Sequence, residues 1–251
     1  MRIAWGITGS GHLMLETFDV MARIAATGTH TISIFMSKAG EEVARMYGIL
    51  PLLRKMANGP PPFRFVHDIE QAASYPACGK FNLGIYPVLF IGPATANTVA
   101  KIKVGIADTL VTNIAAMAAK GGAKVIIMPS DFVAGPVETT LPVTAKNQKC
   151  AACTDQDTAE ECTACDVVNE CPTHAISIIE DRPIVDLTKC IGCKRCVELC
   201  NGQLFEFGRK ITINIRQVDS DNARAVGELE GVEVIGHPLE FEKWLLSQDS
   251  G

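Results

Sequence analysis

Ile3-Ala4-Trp5-Gly6-Ile7-Thr8-Gly9-Ser10-Gly11 is an apolar run that breaks into a glycine-rich turn, and an amphipathic pattern follows to about Ala26. A short apolar run closed by turn residues reads as a buried strand, and apolar residues at 3.6 spacing read as a helix. The cadence repeats. Thr31-Ile32-Ser33-Ile34-Phe35-Met36 predicts a second strand, and Ser37-Lys38-Ala39-Gly40 opens another helix through Glu41-Glu42-Val43. Leu83 to Ile91 predicts one or two strand segments, followed by helices from about Thr95 to Ile102 and from about Gly105 to Lys120. Lys124-Val125-Ile126-Ile127-Met128-Pro129 predicts the next strand. Strand, helix, strand at this spacing predicts a parallel sheet with helices on both faces. Gly59-Pro60-Pro61-Pro62 predicts a stiff surface loop, because proline cannot join a sheet interior.

From about Lys149 to Phe207 this periodicity lapses, and nine of the ten cysteines fall between Cys150 and Cys200. Cys190-Ile-Gly-Cys193-Lys-Arg-Cys196-Val-Glu-Leu-Cys200 is a C-x2-C-x2-C-x3-C run. That step wraps three thiolates around a 4Fe-4S cube and sends the fourth to a second cube, as in bacterial two-cluster ferredoxins. In that pattern the cysteine before a proline completes the cluster held by the other run, and Cys171-Pro172 supplies it. Cys171, Cys190, Cys193 and Cys196 are therefore expected to hold one cluster. Cys200 is expected at a second, with three ligands from Cys150, Cys153, Cys162 and Cys165. Here the pattern departs from the ferredoxins: four cysteines compete for three places, Val168 stands where a third C-x2 step would fall, and Asn201 rather than proline follows Cys200. Either one upstream cysteine is spare, or Cys200 is spare and the four upstream cysteines close their own site. A four-cysteine zinc site is the alternative there, but it would strand Cys200. Cys78 reads as an ordinary thiol. Between the cysteine groups, residues 175–179 and 184–186 predict a strand–turn–strand. After Gly208, residues 210–215 and 231–235 read as strands and 239–246 as a helix.

The 251 residues are 47% hydrophobic with a net charge of −5, enough for one substantial core plus a small module. No basic run suits nucleic acid or anionic lipid, and no apolar run is long enough to span a bilayer. The first residues enter a core strand rather than a charged and then apolar leader, so no signal peptide is expected. Cysteines clustered for metal rather than spread for disulfides suit a reducing compartment, and a cytoplasmic protein is expected.

The glycine turn after the first strand is a phosphate cradle in form, since glycines let backbone N–H groups and a helix start face an anion. No P-loop lysine follows, which argues against ATP. Two more segments bear on it: Ser37-Lys38 after the second strand, and Gly92-Pro93-Ala94-Thr95-Ala96-Asn97-Thr98 leading into residues 100–108. The latter resembles the P-A-S-A-N-T segment of the homo-oligomeric flavin-containing cysteine decarboxylases, a superfamily that includes the flavin prenyltransferases. The resemblance covers roughly residues 1–130. It implies a flavodoxin-like (Rossmann-like) fold that binds FMN between subunits. Gly9, Ser10, Gly11 and Ser37 would serve the phosphate, and Thr95, Ala96, Asn97 and Thr98 would lie by the ribityl chain or ring. Helix capping is the structural alternative for Asn97 and Thr98.

A flavin domain carrying an embedded two-cluster module resembles the archaeal iron–sulfur flavoproteins. The implied organisation is an FMN-binding flavoprotein domain over 1–148, a ferredoxin-like insertion carrying two 4Fe-4S clusters over 149–207, and a return to the flavoprotein domain over 208–251. The implied activity is an oxidoreductase that takes electrons from a ferredoxin-like or other one-electron donor. They pass through the clusters and FMN to a pterin, reducing dihydromethanopterin to tetrahydromethanopterin. An adaptor that passes electrons to a partner protein is the alternative. The superfamily's shared flavin site implies a homo-oligomer, a trimer or a multiple of one. Decarboxylase chemistry is disfavoured, since no P-x-M-N-x-x-M-W clamp is recognisable where Met128-Pro129-Ser130-Asp131 stands. His12 and His67 read as packing or surface histidines, and no catalytic residue is assigned.

Overall fold

A computed structural model describes residues 1–150 and 165–249. In chain order the first half carries β1 (Arg2–Ile7), α1 (Met14–Ala26), β2 (Thr31–Met36), α2 (Lys38–Met46), α3 (Leu50–Met56) and β3 (Phe65–His67). Then come α4 (Gly79–Asn82), β4 (Val88–Ala94), α5 (Ala96–Lys103), α6 (Leu110–Lys120) and β5 (Lys124–Pro129). Eight of these segments were expected from apolar periodicity within a few residues; α3, β3 and α4 were not. Residues 83–87 stay outside β4. The second half carries β6 (Gly135–Thr140), β7 (Thr144–Ala145), α7 (Asp166–Asn169), β8 (Ile176–Ile179), β9 (Arg182–Val185) and α8 (Arg195–Leu199). It ends with β10 (Phe205–Glu206), β11 (Lys210–Ile215), α9 (Gln217–Val226), β12 (Val232–Val234) and α10 (Pro238–Asp249).

The main sheet has the order β12-β5-β4-β1-β2-β3 and is parallel throughout. This is a doubly wound α/β fold in the six-stranded Rossmann order, whose switch point lies between β1 and β4. All seven residues of β4 are buried, as a strand covered on both faces requires. One face packs Trp5, Ile7, Met21, Ile34, Phe90 and Phe241 under α1, α2, α3 and α10. The other packs Leu89, Ile91, Val111, Ile114 and Val226 under α4, α5, α6 and α9. Among the described residues no helix is long and apolar enough to cross a membrane.

The cysteine-bearing stretch leaves and returns through paired strands. β6 pairs antiparallel with β11, and β7 with β10, so residues 146–204 are bracketed by two short ladders that lie outside the main sheet. Within it β8 and β9 form the expected hairpin. Its own small core joins Val143, Val167, Ala175, Ile176, Leu204 and Phe205 to Cys150, Cys190 and Cys196. Of the stretch after Gly208, β12 alone enters the main sheet, beside β5.

Candidate functional site

Open α/β sheets bind ligands outside the carboxyl ends of their strands at the switch point. Here that crevice is bordered by the turn after β1, Ser37 after β2, the start of α5 after β4, and Ser130 after β5. Thr8 ties the two central strands together. Its buried hydroxyl donates to the Pro93 carbonyl at 2.8 Å and accepts from the Thr95 N–H at 2.8 Å. Trp5 Nε1 donates to the Gly92 carbonyl at 2.6 Å, fixing the same approach to α5 from below. Ser130 closes the next edge, its N–H and Oγ both donating to the Ala94 carbonyl at 2.8 and 3.1 Å.

The turn itself needs its glycines. A Cβ on Gly9 would lie 2.5 Å from that of Ala39, and one on Gly11 would strike the Tyr47 hydroxyl. The backbone can therefore come close to whatever the crevice holds. Ser37 caps α2, its Oγ accepting from the Gly40 N–H at 3.0 Å and keeping its own hydrogen to donate. Thr95 caps α5 by accepting from the Thr98 N–H at 3.3 Å, and the Thr98 hydroxyl lies 3.0 Å from that of Thr95. The capping alternative for Asn97 and Thr98 is thus corrected: the cap is Thr95, Asn97 is exposed on the first turn of α5, and Thr98 is buried. The first N–H groups of a helix have no partner within it, so those of Ala96 and Asn97 are open to an anion. Gly9, Ser10, Gly11, Ser37 and the segment Thr95 to Thr98 all stand along this one edge. Between strand and helix the sequence pattern missed a step: His12 and a left-handed Leu13 intervene, and α1 starts only at Met14. Burial lowers the His12 pKa, against the opposing pull of Glu16 and Asp131. His67 lies elsewhere, 2.9 Å from Glu41.

The cysteines fall into two groups, and the eight described ones are all free thiols. Cys171, Cys190, Cys193 and Cys196 line one pocket together with Val143, Ile176 and Lys194. Backbone N–H groups point at its sulfurs: Ala175 N–H to Cys171 Sγ at 3.2 Å and Gly192 N–H to Cys190 Sγ at 3.4 Å. Burial, then the neighbouring Cys190 and Cys193, pushes the Cys196 thiol up to about 11. Burial also pushes Cys171 up, but the Thr173 and Ala175 N–H groups outweigh it and hold that thiol below its ordinary value. The second group is Cys150, Cys165 and Cys200. Burial and then the nearby Cys165 and Cys200 thiols raise Cys150, and Leu204 N–H points at Cys200 Sγ at 3.4 Å. Cys153 and Cys162 lie outside the described residues. Among the described residues, no three metal-binding side chains converge on one point as they would around a single ion. Cys78 is buried under the sheet, its thiol pushed up to about 12 by burial and then by Asp68.

One corner of the flavin-type domain touches both sites. Tyr47, after α2, sits against Gly11 and donates to the Thr140 carbonyl, while its ring stands edge-on to Phe207 at 6.3 Å. Lys194, from the cysteine run, lies over the other ring at 4.1 Å from the Phe207 centroid. Two residues earlier in α2, Arg45 Nη1 donates to the Cys190 carbonyl at 2.7 Å. Thr8, Ser130, Tyr47 and Arg45 were not singled out from the sequence. Thr8 stood within the quoted glycine turn; nothing local marked Arg45, whose partner lies 145 residues away.

The chain matches the Flavoprotein family over residues 1–136. It is 36% identical over 241 residues to the dihydromethanopterin reductase (acceptor) of Methanosarcina mazei, covering 94% of this chain and 95% of that relative. To the enzyme of that name from Methanocaldococcus jannaschii it is 39% identical over 242 residues, covering 96% and 94%. Among solved structures it resembles Burkholderia xenovorans DmrB, solved in complex with FMN and described as a cubic protein cage for redox transfer. The TM-score is 0.60 at 25% identity, covering 99% of this chain and 95% of that one.

Proposed function

This chain belongs to the Flavoprotein family and is an oxidoreductase related over nearly its whole length to the dihydromethanopterin reductases, and from that premise we propose that it reduces dihydromethanopterin to tetrahydromethanopterin with FMN and two 4Fe-4S clusters. Bound FMN would exchange one-electron for two-electron chemistry, and the clusters would deliver single electrons from a ferredoxin-like or other one-electron donor. Gly9, Ser10, Gly11 and Ser37 fit the phosphate, and Thr95, Ala96, Asn97 and Thr98 the ribityl chain or ring. The cradle that a Cβ on Gly9 would fill supports this, as does the bound FMN of the DmrB structure.

Cys171, Cys190, Cys193 and Cys196 fit one cluster: four thiols line one pocket, and N–H groups aimed at sulfur are the hydrogen bonds that stabilise ligating thiolates. For the second, the neighbourhood of Cys150, Cys165 and Cys200 favours Cys200 as a ligand over a zinc site that would leave it out. Residues 149–207 then form a ferredoxin-like insertion between 1–148 and 208–251, a reading supported by the two ladders that bracket residues 146–204. A homo-oligomer, trimeric or a multiple of that, is supported by the caged assembly of DmrB, and the reducing cytoplasm suits so many free thiols.

The observation that carries the proposal is the shared corner: Tyr47 borders the glycine turn, and Arg45 on the same helix end holds the loop of Cys190. The test is anaerobic. Purified protein should contain about eight iron atoms and one FMN per chain. After reduction it should be reoxidised by a dihydropterin much faster than by buffer. About four iron atoms would remove the second cluster; reoxidation at the buffer rate would leave the adaptor as the function.

A further inference from the structure

Three cations border the pocket of Cys171, Cys190, Cys193 and Cys196, and two are occupied elsewhere. Lys194 rests on the Phe207 ring, and Arg195 pairs with Glu170 at 3.1 Å. Arg45 is half-buried and forms no ion pair among the described residues; its guanidinium donates to the Cys190 carbonyl. The surrounding backbone holds it there. Gly48 and Gly192, both at positive φ, meet so closely that a Cβ on Gly192 would lie 2.5 Å from the Met46 carbonyl oxygen. Two glycines allow the cysteine loop to seat on the end of α2, and seating it brings the Arg45 guanidinium to the Cys190 carbonyl.

Among the described residues, no arginine donates to a backbone carbonyl of Cys150, Cys165 or Cys200. The Asp181 carbonyl accepts the Cys150 N–H at 2.8 Å, and the exposed Asp181 carboxylate pairs with Lys149 at 3.2 Å. A cluster gains negative charge when reduced, and its potential follows nearby charge, hydrogen bonds to sulfur and exposure. A fixed, half-buried cation stabilises the reduced form more than the oxidised one.

We infer that Arg45 raises the reduction potential of the cluster that Cys171, Cys190, Cys193 and Cys196 would hold. This rests on the two-cluster reading above. A cluster held there would take up one electron at a time, and Arg45 would hold its positive charge beside the Cys190 loop as it did so.

The test is an anaerobic redox titration of the intact holoprotein followed by electron paramagnetic resonance, with iron content measured alongside. Arg45→Gln removes the charge and leaves a neutral N–H donor on a shorter side chain. One of the two cluster steps should become harder by roughly tenfold in its reduction equilibrium, a shift of ~59 mV to the negative. The other step should stay in place. Arg45→Lys, with the charge on a shorter reach, should move the same step less. If Arg45→Gln loses iron, Arg45→Lys decides: a small negative shift confined to one step supports the inference, and an unmoved step overturns it. With about eight iron atoms present, a variant in which neither step moves, or both move together, overturns the inference and leaves the two-cluster reading standing. Wild-type protein without iron overturns both.

Discussion

At the carboxyl edge of the sheet the polar groups already answer one another, while around the cysteines the backbone donors point at sulfur. Thr8, Ser37, Thr95 and Ser130 close hydrogen bonds among strand ends and helix caps, and the crevice keeps its shape through neutral contacts of the protein alone. On the proposed reading the thiol pocket would depend on chemistry the chain cannot supply. Three cysteines stand among the nine buried residues of that small core, and Cys196 is far from ionised at neutral pH. A metal deprotonates a coordinating thiol outright, so the proposed cluster would also contribute folding free energy there. On that reading the sheet is a preformed holder, and the cysteine stretch is one its cargo would complete.

Removing the iron is the strongest way to break that contrast. A core this small seldom supplies more than ~3–5 kcal/mol by itself, and the cysteines are part of it. After anaerobic chelation, amides in β8 and β9 should lose most of their protection in hydrogen exchange. Those of β1 and β4 should keep theirs, since β4 is buried along its whole length. Equal loss in both regions, or none in β8 and β9, would show that the two are not built differently.

The holder has its own weak point at Thr8. Thr8→Val keeps the shape and leaves the Thr95 N–H and Pro93 carbonyl without their 2.8 Å partner. A buried group stranded in this way costs about 1–3 kcal/mol. The expected result is a lower denaturant midpoint for the sheet with the iron content unchanged. A loss below about 0.5 kcal/mol would mean that β1 and β4 are registered by packing alone.

How much of this was legible beforehand follows from how local each signal is. β1, β2, β4 and β5 are continuous apolar runs, and their periodicity needs nothing from the rest of the chain. Their order is also accessible, because crossover handedness leaves few choices. β6 is different: its residues are half-exposed or exposed, and it is a strand only because it pairs with β11, whose alternation over residues 210–215 could be read. α6 starts at Leu110 rather than near Gly105 because Thr109 and Thr112 form a reciprocal cap, a signal of hydroxyls rather than of apolar spacing. Cysteine spacing separated Cys171, Cys190, Cys193 and Cys196 from the rest, and those four do line one pocket. It could not decide about Cys200, since spacing within a run says nothing of what packs against its last member. Cys150 and Cys165 come to Cys200 from segments 35 or more residues away. Arg45 is the extreme case, an ordinary helical arginine until the fold brings Cys190 to it.

Asn97 gives the smallest effect on stability and the finest test of the holder. In α5 the capping work belongs to Thr95, and Asn97 stands exposed one position into the first turn. If the side chain served the helix, Asn97→Ala would cost something near the ~1 kcal/mol of a lost cap. Because it does not, the substitution should change stability by less than ~0.5 kcal/mol, as at other exposed positions. Its effect should appear only with ligand present: FMN should bind about fivefold more weakly, the equivalent of one net hydrogen bond of ~1 kcal/mol. Flavin fluorescence titration and a denaturant curve on the same preparation separate the two. A stability loss with unchanged FMN affinity would return Asn97 to the helix, and the ligand-facing residues of this segment would reduce to the backbone N–H groups of α5 and the hydroxyls of Thr95 and Thr98.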